Sequence, residues 1–248
     1  YGQTSQIASE HTSAALFSQL EWSITDRLRV LPGLRFNFDR KEVDYQSQIY
    51  GGLATSDPAL IALQRSILAP QAYAAEVDDT NLSGQLTIAY DVTERVNAYA
   101  TYATSFKSVG LNLGGLPTDS SGAPVLSAAT VRPEEVSHIE IGVKTTPFPG
   151  VRFNITAFET TIEDYQAQVV NASVGVLRGY LANAEEVRVR GAELDFSARL
   201  SEVLTIYGAA AYTDGEYVSF PDAPAPLEGT GGPQAVDISG ARLPGVSE

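Results

Sequence analysis

Eight stretches of this chain alternate apolar and polar side chains with a period of two, and the links between them are short and long in turn. The alternating stretches lie near Ser13–Thr25, Arg27–Gln46, Asp79–Asp91, from Glu94, near Glu134–Thr146, from Val151, near Asn183–Leu200 and from Leu204. The short links fall around Asp26, Thr93, Pro147 and Ser201; the long ones near 47–78, 108–133, 172–182 and 219–245. Solenoids and propellers also repeat over tens of residues, but their links do not sort into short on one edge and long on the other. Short turns on one side and long loops on the other are the signature of an antiparallel transmembrane β-barrel, so the fold class expected is all-β.

The facing of single strands agrees. Val96, Ala98, Ala100, Tyr102 and Phe106 share one face, which suits lipid, with Tyr102 and Phe106 rising toward an aromatic girdle. Asn97, Tyr99, Thr101, Ser105 and Lys107 share the other, which suits a wet lumen. A strand tilted by ~40° climbs about 2.6 Å per residue, so an apolar band of ~25 Å takes about nine or ten residues. Counting back from Ser201, Leu200, Ala198, Phe196, Leu194 and Ala192 fill that band, and Arg190 and Arg188 follow on the same face. They are placed to meet outer headgroups, lipopolysaccharide phosphates included. The alternative is a bulge at Gly191 that flips the facing.

Composition removes several function classes. Net charge is −14, so nucleic acid is a poor partner. There is no Cys, and the two His residues, His11 and His138, lie far apart. No run of apolar residues is long enough for a membrane helix, and no signal peptide is visible. No nucleophilic triad, zinc spacing, dinucleotide fingerprint or P-loop appears, so neither an enzyme nor a cofactor is expected. Glu163 and Asp164 are adjacent on a strand and point apart, which argues against acid–base pairing. In the first long loop, Ser56 or Asp57 precedes Pro58 as a helix cap, and Leu60, Leu63, Ile67 and Leu68 make an apolar stripe. "DDT" (78–80) with Glu76 is a weak candidate for Ca²⁺, short of the six or more oxygens such a site needs. "PDAPAPLEGTGGPQAVDISG" (221–240) is loop-like, and "DISGARLPGVSE" reads as a turn with no strand after it.

Four segments carry a family resemblance: "ALFSQLEWSITDRLRVLPGLRFNFDRK" (15–41), "NAYATYATSFKSVGLN" (97–112), "RPEEVSHIEIGVKTTPFPGVRFNITAFETTIEDYQ" (132–166) and "VRGAELDFSARLSEVLTIYGAAAYTDGEY" (189–217). In this order the chain resembles the β-barrel domain of TonB-dependent outer-membrane receptors. The resemblance implies a barrel of about 22 strands, of which residues 1–248 supply about eight from an internal section. It also implies a plug domain, a TonB box and C-terminal strands outside this sequence. Energy would come from the TonB complex, and a siderophore or another scarce nutrient would be imported across the outer membrane of a Gram-negative bacterium. Lumen-wall candidates are Tyr99, Lys107, His138, Glu140 and Lys144. The rival readings are a passive porin-like barrel, a soluble β-sandwich binding domain and a barrel enzyme lacking an evident catalytic set.

Overall fold

The structure is a computed structural model. It describes residues 2–117, 123–173, 176–225 and 235–246, with backbone alone at 66–67, 170–173, 176–178 and 224. Eight long strands follow one another: β1 (Gly2–Gln19), β2 (Leu28–Tyr50), β3 (Ala72–Thr93), β4 (Val96–Lys107), β5 (Glu134–Thr145), β6 (Val151–Ser173), β7 (Val176–Arg199) and β8 (Thr205–Ser219). They pair antiparallel in chain order as one meander.

The first expected strand is shifted toward the N-terminus and broken. β1 stops at Gln19, and the short pair of Trp22–Ser23 with Arg29–Val30 resumes after it. The break faces Pro32 of β2. Leu20 N donates to Pro32 O at 3.0 Å, but a proline has no N–H to return the bond.

Hydroxyls build three of the four short turns. Thr25 Oγ1 accepts from Leu28 N at 3.0 Å, Thr93 Oγ1 from Arg95 N at 3.2 Å, and Ser201 Oγ from Val203 N at 3.3 Å. The fourth, Pro147–Gly150, closes with Gly150 at φ 78°, a conformation that favours glycine.

The register sets one apolar row across seven strands: Leu28, Tyr90, Ala98, Val143, Ile155, Leu194 and Ala210. The rows on either side of it on this face hold Val30, Ile88, Ile141, Phe153 and Phe196 among others. These side chains are bare: Leu82 is 67% exposed, Ile141 58% and Tyr212 67%. A continuous apolar face of this size belongs against hydrocarbon rather than water. We call it the outward face.

The strands overshoot this band. β2 has 23 residues, and the ~25 Å apolar band accounts for about ten. Hence the expected loop 47–78 shrinks to 51–71, and strand covers 172–182 apart from residues 174–175, which lie outside the described set. The cause is physical: above the bilayer, lipid no longer enforces alternation, so the period that marks a strand in sequence fades. Within 51–71 sits a helix, α1 (Pro58–Ile67), with Pro58 in its first turn. Asp57, the second of the two capping candidates, accepts from Ala59 N at 2.8 Å.

The chain's last described segment returns to the sheet. Tyr217 N donates to Ala241 O at 2.9 Å and Leu243 N to Gly215 O at 2.8 Å, and Arg242 bridges to Glu216. The expected turn-like stretch is thus tied to the sheet by one isolated bridge: residues 241–243 pair with the far edge of β8. Of the stretch 221–240, residues 226–234 lie outside the described set.

No register shift occurs at Gly191; β7 slips only between Glu186 and Val187, against β8. Gly191 is needed for a different reason. A Cβ there would sit 2.4 Å from Tyr212 O and 2.9 Å from the Phe158 ring. Gly191→Ala is expected to cost about 1–3 kcal/mol by overpacking the β7–β8 seam. Guanidinium unfolding of the folded barrel, followed by tryptophan fluorescence, checks it; an unchanged midpoint counts against the seam.

Candidate ligand vestibule and lumen wall

The inward face is polar at the height of the bilayer. Tyr99 lies across Gly142 with its hydroxyl 3.1 Å from Thr156 Oγ1, and the Lys144 ammonium stands 4.9 Å from the Tyr99 ring centroid. His138 Nδ1 is 2.8 Å from Thr160 Oγ1, while its Nε2 is 3.8 Å from Glu140, outside hydrogen-bond range. Tyr99, His138, Glu140 and Lys144 thus share one patch on the polar face. Lys107 sits higher, and its ammonium is 2.8 Å from Glu134 Oε1. Glu134 is buried and also accepts from Gln166 N at 2.8 Å. Lys107 therefore locks the top of β4 and β5.

On the outward face the charged side chains pair with one another. Arg190 Nη2 lies 3.1 Å from Asp214, and Arg188 contacts Glu216; these are cross-strand neighbours. Both Arg residues share the face of Leu194 at the upper edge of the apolar band, and both carry an acid partner of their own. Arg40 does the same on β2, within 2.7 Å of Glu42 and 2.6 Å of Glu76, with Asp78 at 4.0 Å. This overturns the Ca²⁺ candidate. Glu76 and Asp78 gather around Arg40, and Asp79 points to the other face.

Above the band, the inward face is covered by the loop between β4 and β5. β4 ends at Lys107 and β5 starts at Glu134, while the hairpins on either side rise well past them. The loop fills this notch as a strap. A short pair, Gly110–Leu111 with Thr130–Val131, holds it together, and Gly115 takes φ 99° where it turns. Leu116 is buried with Ala129 against the stacked rings of Tyr45 and Tyr73, whose centroids are 4.8 Å apart.

Side-chain amides fasten the strap at both sides. Gln71 Nε2 donates to Leu116 O and Gln71 Oε1 accepts from Leu116 N, each at 2.9 Å. Asn112 makes the same two-point contact with Leu181, accepting from its N at 2.6 Å and donating to its O at 3.1 Å. Lys41 donates to Val109 O at 2.8 Å, and Tyr73 donates to Asn112 O at 2.6 Å. Tyr73 lies above the apolar band; burial, helped by Tyr45, pushes its hydroxyl up to about 12, so it stays a donor. Gln166 and Asn183 add bonds to the backbone of Ser108 and Arg132. Beneath them Asp164 sits at φ 53° and pairs with Arg132 at 2.6 Å. None of these amides stood out in sequence. A buried Asn or Gln reads like any loop residue, and only the neighbouring hairpins reveal its partners.

A second cover packs on the β6–β7–β8 side. Ala167, Val169, Ala184, Val187 and Tyr217 form a core with Phe220 and Ala223 of the segment after β8. The result is a wall with a lipid face below, a wet inner face, and a capped rim. No helix among the described residues is long and apolar enough to cross a membrane.

The TonB dependent receptor-like β-barrel family matches residues 1–248, the whole chain. The chain belongs to this family. It is 29% identical over 209 residues to a probable TonB-dependent siderophore receptor, PiuA, of Acinetobacter baumannii, covering 84% of this chain and 24% of that protein. To the pesticin receptor of Yersinia pestis it is 25% identical over 187 residues, covering 75% and 24%. The chain thus spans about a quarter of the length of the curated relatives it matches. Among solved structures, the ferric yersiniabactin uptake receptor FyuA from Yersinia pestis superposes with a TM-score of 0.66 at 21% identity, over 87% of this chain and 28% of that one. The copper transporter OprC superposes at 0.60 with 17% identity, over 84% and 30%, so the fold alone does not choose a cargo. Family membership places the chain in the Gram-negative outer membrane, in a family of receptors and transporters rather than enzymes.

Proposed function

We propose that this chain forms one sector of the wall of an outer-membrane receptor that imports a ferric siderophore or another scarce nutrient, with TonB supplying the energy. The observation that carries the reading is the two-faced wall with a strapped rim. A bare apolar face lies at bilayer height, and its inner face is polar and topped by loops folded over the lumen. The relative named as a probable TonB-dependent siderophore receptor supports the cargo class. In this reading the polar patch of Tyr99, His138, Glu140 and Lys144 faces the plug, and the strap shapes the vestibule where ligand is captured. Arg188 and Arg190, at headgroup height, approach lipopolysaccharide as neutral ion pairs rather than as free cations.

The test is uptake of radiolabelled ferric chelates by cells expressing the full receptor, with and without an intact TonB system. Uptake is expected to saturate and to vanish when TonB is deleted. Uptake that persists without TonB and stays linear in ligand concentration would establish the porin reading instead.

A further inference from the structure

We propose that the periplasmic edge of β4–β7 is a docking surface for a periplasmic partner, which it grips by an acidic peptide segment interspersed with apolar side chains. The proposal rests on the placement of the short turns at that edge and not on the cargo. The turn between β5 and β6 lines a hollow of about 400 Å³ with Phe148, Pro149 and Gly150, and Arg95, Arg152 and Ser197 line it too. A second hollow, of about 440 Å³, shares Arg95, Thr146 and Arg152 with the first, so the two form one groove along the foot of the sheet. Tyr207 extends the groove: it is the cross-strand neighbour of Ser197, which in turn lies opposite Arg152.

Two features mark this edge as a surface for a partner. The first is bare apolar area. Val203, in the turn between β7 and β8, is 96% exposed, Tyr207 83% and Phe148 68%. The two turns adjoin, since Arg199 N donates to Gly150 O at 2.8 Å. Phe148 and Val203 sit beyond the strand ends, at the mouth of the barrel rather than inside its lumen. The other two short turns carry "TDR" (25–27) and "TER" (93–95) instead.

The second feature is uncommitted positive charge. Arg95 donates to Pro147 O at 3.3 Å, which holds its guanidinium against the β5–β6 turn. Among the described residues no acid lies within ion-pair distance of Arg95, of Arg152 or of Lys144, which lines the groove on its lumen side. Nearby acids are taken: Asp91 accepts from Asn97 at 2.7 Å and lies 3.9 Å from Arg29, and Asp195 accepts from Asn154 at 3.1 Å. Of the acids that line the groove only Glu94 is left over. In a chain of net charge −14, a groove where three cations face one free acid selects an acidic partner. Aromatic and Arg side chains are also the ones that carry most of the energy at protein interfaces.

The experiment uses the full receptor in detergent and, as probe, a fluorescein-labelled octapeptide alternating Glu and Val, with Gln–Val and Lys–Val octapeptides as controls. Binding is read by anisotropy at low and high salt, and folding by heat-modifiable gel mobility. The acidic peptide is expected to bind about ten-fold tighter than the neutral one, and the basic one weakest. Arg95→Gln with Arg152→Gln is expected to weaken the acidic peptide roughly ten-fold and to flatten its salt dependence. Phe148→Ser with Val203→Ser is expected to weaken the acidic and neutral peptides alike and to leave the salt dependence unchanged. Arg27→Gln, in a short turn outside both hollows, is expected to stay within about two-fold of wild type. Equal affinity for the three peptides overturns the proposal, as does acidic-peptide binding unchanged in the double Arg variant. A wild type that binds no peptide overturns it too; new entry of large antibiotics into cells carrying the Arg variant then assigns the groove to the plug. None of these outcomes touches TonB-dependent uptake, so the transport reading stands or falls separately.

Discussion

Leu194→Arg is expected to keep the barrel out of the membrane, whereas Arg190→Leu is expected to assemble normally. The two positions share one face of β7 and lie four residues apart, so only their height differs. Leu194 is near the middle of the apolar band, flanked by Ile155 and Ala210 in the same outward row. A charge there costs about 2–4 kcal/mol in a bilayer, and the nearest acids on the strand, Glu193 and Asp195, point to the other face. Arg190 is at the band's upper edge, 53% exposed, and its pair with Asp214 is partly in solvent. Such pairs contribute about 0–1 kcal/mol, so its loss is small, and Asp214→Asn in the same molecule removes the acid left behind. Heat-modifiable mobility and surface protease accessibility in whole cells read assembly directly. Equal tolerance at the two positions would sink the assignment of faces.

The same contrast explains what could be read from sequence. Lipid acts on every second residue, so Leu82, Ile88, Ile141 and Leu194 announce their face, and the polar Tyr99 and Lys144 announce the other. Alternation should also have separated Asp78 from Asp79; the Ca²⁺ candidate ignored the rule that its own strand imposed. Above the bilayer that rule stops applying. Strand continues through 47–50 and 72–78, where the residue pattern had lapsed, because paired backbones and loop covers hold it there. Arg190 was placed on the same face as Leu194, but its partner was out of reach: Asp214 lies on the next strand, and pairing depends on a register the sequence does not print.

Asn112→Leu is expected to release the strap while leaving the barrel assembled. Asn112 is 3% exposed, and its side chain holds Leu181 N, Leu181 O and Ala128 O. Leucine fills the space but meets none of these groups, and each buried polar group left unpaired costs about 1–3 kcal/mol. Even with partial rehydration, a loss of about 3 kcal/mol follows. That corresponds to a fall in hydrogen-exchange protection of roughly a hundred-fold, since 1.36 kcal/mol is ten-fold. The fall should centre on Leu116, Ala129 and Leu181 and spare the membrane rows around Ile141 and Leu194, because the strap touches only strand above the band. Gln71→Leu removes the other two-point clamp and should reproduce the pattern from the opposite side; Leu126→Ser, at a 63% exposed position, should not. Exchange measured by mass spectrometry on the folded receptor separates these outcomes. Unchanged protection in both amide variants would mean that the apolar contact of Leu116 with Tyr45 and Tyr73 suffices. A uniform loss over all strands would instead make the strap part of the barrel's global stability. If the strap shapes the vestibule, both amide variants should also shorten ligand residence without altering assembly, which ties the capped rim to capture and not merely to folding.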